Sequence, residues 1–191
     1  MSKPTQFRKG TLAAVVGLGA AAALFVAIPR HESGRTVDVT FAADGSATVR
    51  HVSGRQYLSA YLDVAGVPTA CDGITAGVTI GARYTPAQCT AALEAELVKH
   101  AAGVLACTPS LQAPGRVHQR VAAVMLAYNI GVASWCSSTA RRRFEAGQWR
   151  AGCDAFLAWN KARVGGVLRP IAGLSKRREQ ERLVCLKGLW R

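Results

Sequence analysis

Eleven Asp and Glu residues stand against 24 Lys and Arg in this 191-residue chain, so the candidates for acid–base chemistry are few. Glu94 and Glu96 share one helical stretch and read as solvated. Glu145 and Asp154 lie among arginines on exposed helices, and Glu179 and Glu181 fall in a basic run that suits ion pairs. Asp44 precedes Gly45 in a turn. Beside Asp38, a polar position in the alternating stretch that begins at Val37, that leaves Glu32, Asp63 and Asp72, all in the first half. Two carboxyl groups, one holding a proton and one ionised, are what cleavage of a glycosidic bond needs. Nucleophilic alternatives fare worse. There is no G-x-S-x-G, and His31, His51, His100 and His118 lack a placed partner. The six cysteines are even in number and can all pair. No paired Cys/His spacing of a zinc site occurs, so neither a metal nor a cofactor is expected.

The elements that must position these acids are legible in outline. Val37, Val39 and Phe41 alternate with polar residues, Asp44-Gly45 offers a turn, and Ala47 and Val49 alternate again, which predicts a β-hairpin over 36–52. Short apolar stretches at 56–62 and 67–71, around Asp63 and Gly66, suit a second small hairpin. Thr85-Pro86 is a helix opening, with Ala91, Leu93, Leu97 and Val98 forming one face. Residues 117–130 predict a buried helix, 138–145 and 150–161 two more split by Gly147, and 174–187 the last. The fold class is α+β, a small β-hairpin lobe followed by a mainly helical lobe.

An N-terminal hydrophobic helix precedes this body. Lys3, Arg8 and Lys9 come first, then Thr11–Ile28 run 18 residues without a charge. Such a helix reaches about 27 Å, just short of a hydrocarbon core. The leading positive charges keep the N-terminus cytoplasmic while the rest crosses. A cleaved signal peptide, with Ala21, Ala22, Ala23 or Ala27 near the cut, competes with an uncleaved signal anchor. The length favours the anchor, since signal peptides carry apolar regions of about 7–15 residues. Half of the run is Ala or Gly, which contribute little transfer free energy, so it would hold in a bilayer poorly. All six cysteines lie beyond it. Export to an oxidising compartment favours disulfides, and sequential pairing, 71–89, 107–136 and 153–185, is the expectation.

The chain is half apolar, 18% charged and 7% aromatic, which excludes a wholly disordered or multi-span membrane protein. Its net charge is +13, and residues 141–191 hold 13 Lys and Arg against four acids, a net +9. That lobe suits an anionic wall polymer or membrane face. Nucleic acid is not an expected partner of an exported chain.

Three motifs in order resemble the phage lysozymes, glycoside hydrolase family 24. Tyr61-Leu62-Asp63-Val64-Ala65-Gly66-Val67-Pro68-Thr69-Ala70-Cys71-Asp72-Gly73-Ile74-Thr75 resembles the family's active-site hairpin, with Asp63 and Thr69 at its spacing. Ala127-Tyr128-Asn129-Ile130-Gly131 resembles its aromatic-Asn-x-Gly helix end. Gly173-Leu174, Arg177-Arg178 and Glu181 resemble its C-terminal pattern. The family's Glu stands nine residues before the Asp, where this chain has Gly54. The nearest upstream acid is Glu32, 31 residues before Asp63. The echo of His31-Glu32-Ser33-Gly34-Arg35 in His51-Val52-Ser53-Gly54-Arg55 suggests a β-hairpin inserted between Glu32 and the rest. A hairpin returns near its start, which would still let Glu32 face Asp63 and Thr69.

The resemblance implies a lysozyme-like catalytic domain over 31–191, with 36–52 inserted, behind a signal-anchor segment at 1–30. It implies an inverting hydrolysis of the β-1,4 bond between N-acetylmuramic acid and N-acetylglucosamine in peptidoglycan. Glu32 would be the general acid, Asp63 the ionised carboxylate, and Thr69 the holder of water. Asp72 has no part in the family pattern. The weak anchor beside this body resembles the signal-anchor-release endolysins. A monomer would then be exported by the host secretion machinery, tethered to the inner membrane, and later freed into the periplasm for lysis. Two other readings stay open: a wall-binding lysis accessory without catalysis, and a secreted cationic protein whose segment 174–191 disrupts membranes.

Overall fold

A computed structural model describes residues 7–63 and 65–187. Lys3 and Val64, used in the sequence reading, lie outside the described residues. The chain divides into two compact units, Met1–Lys99 and His100–Arg191.

In the first unit the apolar run is not one helix. It forms α1 (Leu12–Val16) and α2 (Leu18–Glu32), interrupted at Gly17 with φ +84. That left-handed angle is open to glycine at little cost and closed to most other residues. None of the described helices is long and apolar enough to cross a membrane. Leu12, Ala13, Val16, Ala20, Ala21, Leu24, Phe25 and Ile28 are almost fully buried. They recur at helical spacing on one side, while Leu18 and Val26 remain exposed. A segment of nearly uniform hydropathy thus packs as two consecutive helices, each with one buried side.

The expected hairpin follows as β1 (Thr36–Phe41) and β2 (Ala47–Ser53), antiparallel, with Val39 opposite Val49 and a register shift after Thr36. Its turn reaches back to the start of the apolar segment. The Arg8 amide donates to the Asp44 carbonyl at 2.7 Å, and the two side chains form an exposed ion pair. Phe25 of α2 and Phe41 of β1 stand 6.3 Å apart between ring centroids. The second hairpin pairs β3 (Tyr57–Leu62) with β4 (Pro68–Cys71), Tyr61 opposite Thr69. Its inner face, Ala70, Cys71, Ile74 and Val78, packs with Cys89, Leu58 and Tyr84.

Helix α3 (Pro86–Cys107) starts in the first unit and ends in the second. Thr85 and Gln88 cap it reciprocally: Thr85 Oγ1 accepts the Gln88 amide and Gln88 Oε1 accepts the Thr85 amide. Glu94 is not merely solvated as expected. Its Oε1 accepts the Leu12 amide at 3.0 Å, one of the orphan donors at the start of α1.

The second unit holds α4 (Val117–Ile130), α5 (Val132–Ser137), α6 (Thr139–Glu145), α7 (Trp149–Asp154) and α8 (Ala172–Leu186). Trp135, Phe144 and Phe156 form its aromatic centre, and Trp135 Nε1 donates to Thr108. The helix expected over 150–161 is shorter. It gives way to a 3-10 turn at Ala155–Ala158 and an unforeseen hairpin, β5 (Lys161–Val164) with β6 (Val167–Pro170). The disulfides pair sequentially: Cys71–Cys89, Cys107–Cys136 and Cys153–Cys185.

Candidate active site

Gly54 explains how a distant acid can reach the second hairpin. It has φ +87, and a Cβ there would stand 2.7 Å from the Arg35 Cα and 2.8 Å from the Gly34 carbonyl oxygen. The residues entering and leaving the β1–β2 hairpin therefore lie in backbone contact. The side chains of Thr36 and Ser53 hydrogen-bond across the same neck. The hairpin is a detour whose ends meet, and Glu32 sits just before its neck.

Glu32 is the last residue of α2 and is half-buried. Its carboxylate packs over Gly73, two residues past the end of β4: a Cβ on Gly73 would stand 3.4 Å from Glu32 Oε2. Gly73 has φ +82, a backbone angle that favours glycine there. The structure thus brings Glu32 onto the hairpin that carries Asp63 and Thr69.

Asp63 follows β3 and organises the turn to β4. Its Oδ1 accepts the Ala65 and Val67 amides, each at 2.8 Å, and its amide donates to the Val67 carbonyl. Two N–H groups on one oxygen fix the orientation of the carboxylate. Thr69 is 4% exposed and donates its hydroxyl proton to the Val67 carbonyl at 3.0 Å. With that proton committed, Thr69 Oγ1 faces any further partner as an acceptor.

Tyr61, opposite Thr69 on β3, senses both acids. Burial is the largest cause that raises its phenol above the ordinary 10.0. The fields of Tyr57, Asp63 and Glu32 raise it further, and Arg55 opposes them. Glu32 and Asp63 therefore share one electrostatic neighbourhood. The Tyr57 and Tyr61 rings are tilted by 36° with centres 4.8 Å apart, and the Arg55 guanidinium lies 4.6 Å from the Tyr57 ring centre.

Asp72 is fully buried and paired with Arg35, an arrangement the sequence reading missed. A single Asp beside a Cys and a Gly announces no partner 37 residues upstream. In the second unit, α4 ends at Ile130 with Gly131 at φ +84, as the aromatic-Asn-x-Gly resemblance suggested. Arg177 and Arg178 both donate to Glu181 Oε1. Helix α8 is tied in by these buried groups and by Cys185, so 172–186 is part of a core.

Comparison with known proteins bears on the family and the fold. The phage lysozyme family matches residues 53–181. A SAR-endolysin of Pseudomonas phage phiKMV is 36% identical over 129 residues, which is 68% of this chain and 78% of that protein. A SAR-endolysin of Enterobacteria phage P21 is 34% identical over 129 residues, 67% of this chain and 74% of that one. Among solved structures, an endolysin from Escherichia coli O157:H7 phage FAHEc1 superposes with a TM-score of 0.67 at 27% identity, covering 86% of this chain and 91% of that chain. The family match begins at Ser53, at the end of the detour, so the place of Glu32 rests on the geometry above.

Proposed function

The chain belongs to the phage lysozyme family, a family of peptidoglycan hydrolases, and we propose that Glu32, Asp63 and Thr69 carry its reaction. What supports this reading is the closed neck at Gly54 and Arg35 together with the approach of the Glu32 carboxylate to Gly73, which follows the hairpin of Asp63 and Thr69 in the chain. Glu32 protonates the glycosidic oxygen as the bond to the leaving sugar breaks. Asp63, held by two amides through Oδ1, takes a proton from the attacking water. Thr69, whose own proton is committed to Val67, accepts the water's other hydrogen and aims its lone pair at the anomeric carbon. Water arrives on the face opposite the leaving group, so the configuration inverts.

The substrate is the β-1,4 bond between N-acetylmuramic acid and N-acetylglucosamine, and the biological outcome is lysis of the bacterial host. Digestion of purified peptidoglycan tests the reaction. Fragments should end in reducing N-acetylmuramic acid, with the α anomer appearing first by NMR. Fragments ending in reducing N-acetylglucosamine, or cut at peptide bonds, would contradict it.

We further infer that the apolar segment is a retained and releasable anchor. Cleavage near Ala23 or Ala27 would remove Leu12, Val16 and Ala20, whose side chains are buried in the fold. It would also remove the Leu12 amide that Glu94 receives. The segment is a tether while it lies in the membrane and becomes α1 and α2 once free. Glu32 stands four residues beyond Ile28, so tethering withholds the acid from its hairpin. Energised right-side-out vesicles carrying the tethered chain, with its body on the outer face, should cleave added wall fragments slowly, and dissipating the membrane potential should release soluble, active enzyme. Equal rates before and after release would contradict the tether.

A further inference from the structure

One buried charge cluster of the first unit has no part in the steps above. Arg35 Nε donates to Asp72 Oδ1 at 2.7 Å, and Arg35 Nη2 donates to Asp72 Oδ2 at 2.6 Å. The two side chains are 3% and 1% exposed. The Ser33 hydroxyl lies 2.8 Å from Asp72 Oδ1 and 2.9 Å from the Pro29 carbonyl oxygen. Glu32 is bracketed by this cluster. Ser33 and Arg35 follow it in the chain, and Asp72 directly precedes Gly73, the residue on which its carboxylate rests.

The backbone between Glu32 and Arg35 contains a pivot. Helix α2 ends at Glu32, Ser33 keeps φ −115 and ψ −8, and Gly34 turns to φ +74. Glycine can swing either way, so nothing local to Gly34 fixes where the helix end points. The Arg35–Asp72 fork pins the chain one residue beyond the pivot. Two parallel N–H···O bonds to one carboxylate set orientation as well as distance. A buried ion pair is weak evidence of stabilisation, because apolar groups of similar volume often do as well. Its geometric effect is what apolar groups cannot reproduce.

We propose that Arg35 and Asp72 are positioning residues for the reaction. Their buried fork clamps the end of α2 to the β3–β4 hairpin and thereby sets the place of Glu32 relative to Asp63 and Thr69. The proposal rests on the reading of Glu32 as the acid. Arg35 and Asp72 act through Glu32, with Ser33 as the third member of the clamp.

The test uses the full-length enzyme and soluble peptidoglycan fragments, with kcat, KM and thermal melting measured together. Arg35→Met/Asp72→Leu removes both charges at similar volume, and Arg35→Lys keeps the charge but loses the fork. Each is made alone and in a Glu32→Gln background. The double variant should lose kcat by about 10- to 100-fold with KM within about twofold of the parent. Arg35→Lys should fall between. In the Glu32→Gln background the double change should cost nothing further, because no acid is left to place. A folded double variant with parental kcat would overturn the clamp. So would an equal loss in both backgrounds, which marks a role that does not pass through Glu32. If the double variant does not fold, Ser33→Ala carries the same readout with a smaller kcat loss, again absent in the Glu32→Gln background. Parental activity of Glu32→Gln itself fails the acid assignment, whereas a crippled Glu32→Gln beside an unimpaired double variant fails the clamp alone.

Discussion

Gly54 and Arg35 are in backbone contact: a Cβ on the first would come within 2.7 Å of the Cα of the second. This contact makes the hairpin of residues 36–53 a closed loop on the catalytic lobe. It also bars the position nine residues before Asp63 from carrying an acid. Gly54→Ala should destabilise the protein by at least about 1–2 kcal/mol from its φ of +87 alone, with the overlap adding to that. Thermal melting checks it. Gly54→Glu, which restores a carboxyl at the family spacing, should fail to rescue Glu32→Gln. Rescue would mean that the detour is not closed in solution.

Glu94 receives the first amide of α1 and so holds the apolar segment in its folded place. Glu94→Ala should cost about 1 kcal/mol, the usual size of a lost helix cap, and lower the melting temperature by about 2–4 °C. The same variant should leave more of the exported protein with the membrane on fractionation. An unchanged melt would show that the Leu12 amide finds water as readily as Glu94.

Tyr61 gives the site an alkaline signature. Burial first, then Tyr57, Asp63 and Glu32, raise its phenol above 10.0. The unfolded chain then releases this proton before the folded one does as pH rises. The stabilisation is complete below about pH 10 and is lost as pH climbs through the folded value. Asp63→Asn removes one of the raising charges and should move the midpoint back toward 10.0. Phenolate absorbance, with Tyr61→Phe as the blank, measures it. A midpoint indifferent to Asp63→Asn would separate Tyr61 from the acid pair.

Cys71 is the only described residue other than glycine with positive φ, at 56°, and its disulfide to Cys89 ties β4 to α3. The bridge closes a span of 18 residues, for which loop entropy alone gives about 3 kcal/mol. Cys71→Ala/Cys89→Ala should melt markedly lower and lose activity, as Asp72 and Gly73 follow Cys71 directly. A melt equal to the parent's would show that the β3–β4 hairpin holds without the bridge.

Much of this was legible in the residues. Alternation around Asp44-Gly45 and the Thr85-Pro86 opening located β1–β2 and α3, because turns and caps depend on local chemistry. Cysteine order matched the bridges, which each join a cysteine to the next one along the chain, 18 to 32 residues on. What escaped depended on distant partners or on a change of surroundings. Gly17 is silent in an apolar run read against a bilayer, yet it divides the helix when one side packs on protein. Glu94 looked solvated because its partner, the Leu12 amide, belongs to that same segment. Asp72 and Arg35 each looked ordinary until the fold joined them. The hairpin at 161–170 did carry a local signal, Gly165-Gly166 between Val164 and Val167, in a stretch left unassigned between the helices expected over 150–161 and 174–187.

The placement of Glu32 is tested most directly by the kcat of Glu32→Gln in the full-length, released enzyme on soluble peptidoglycan fragments, beside a melting curve that certifies its fold. General acid catalysis at this residue requires a loss of at least about 100-fold with the parental melt. Parental kcat in the folded variant would contradict it and place the acid elsewhere.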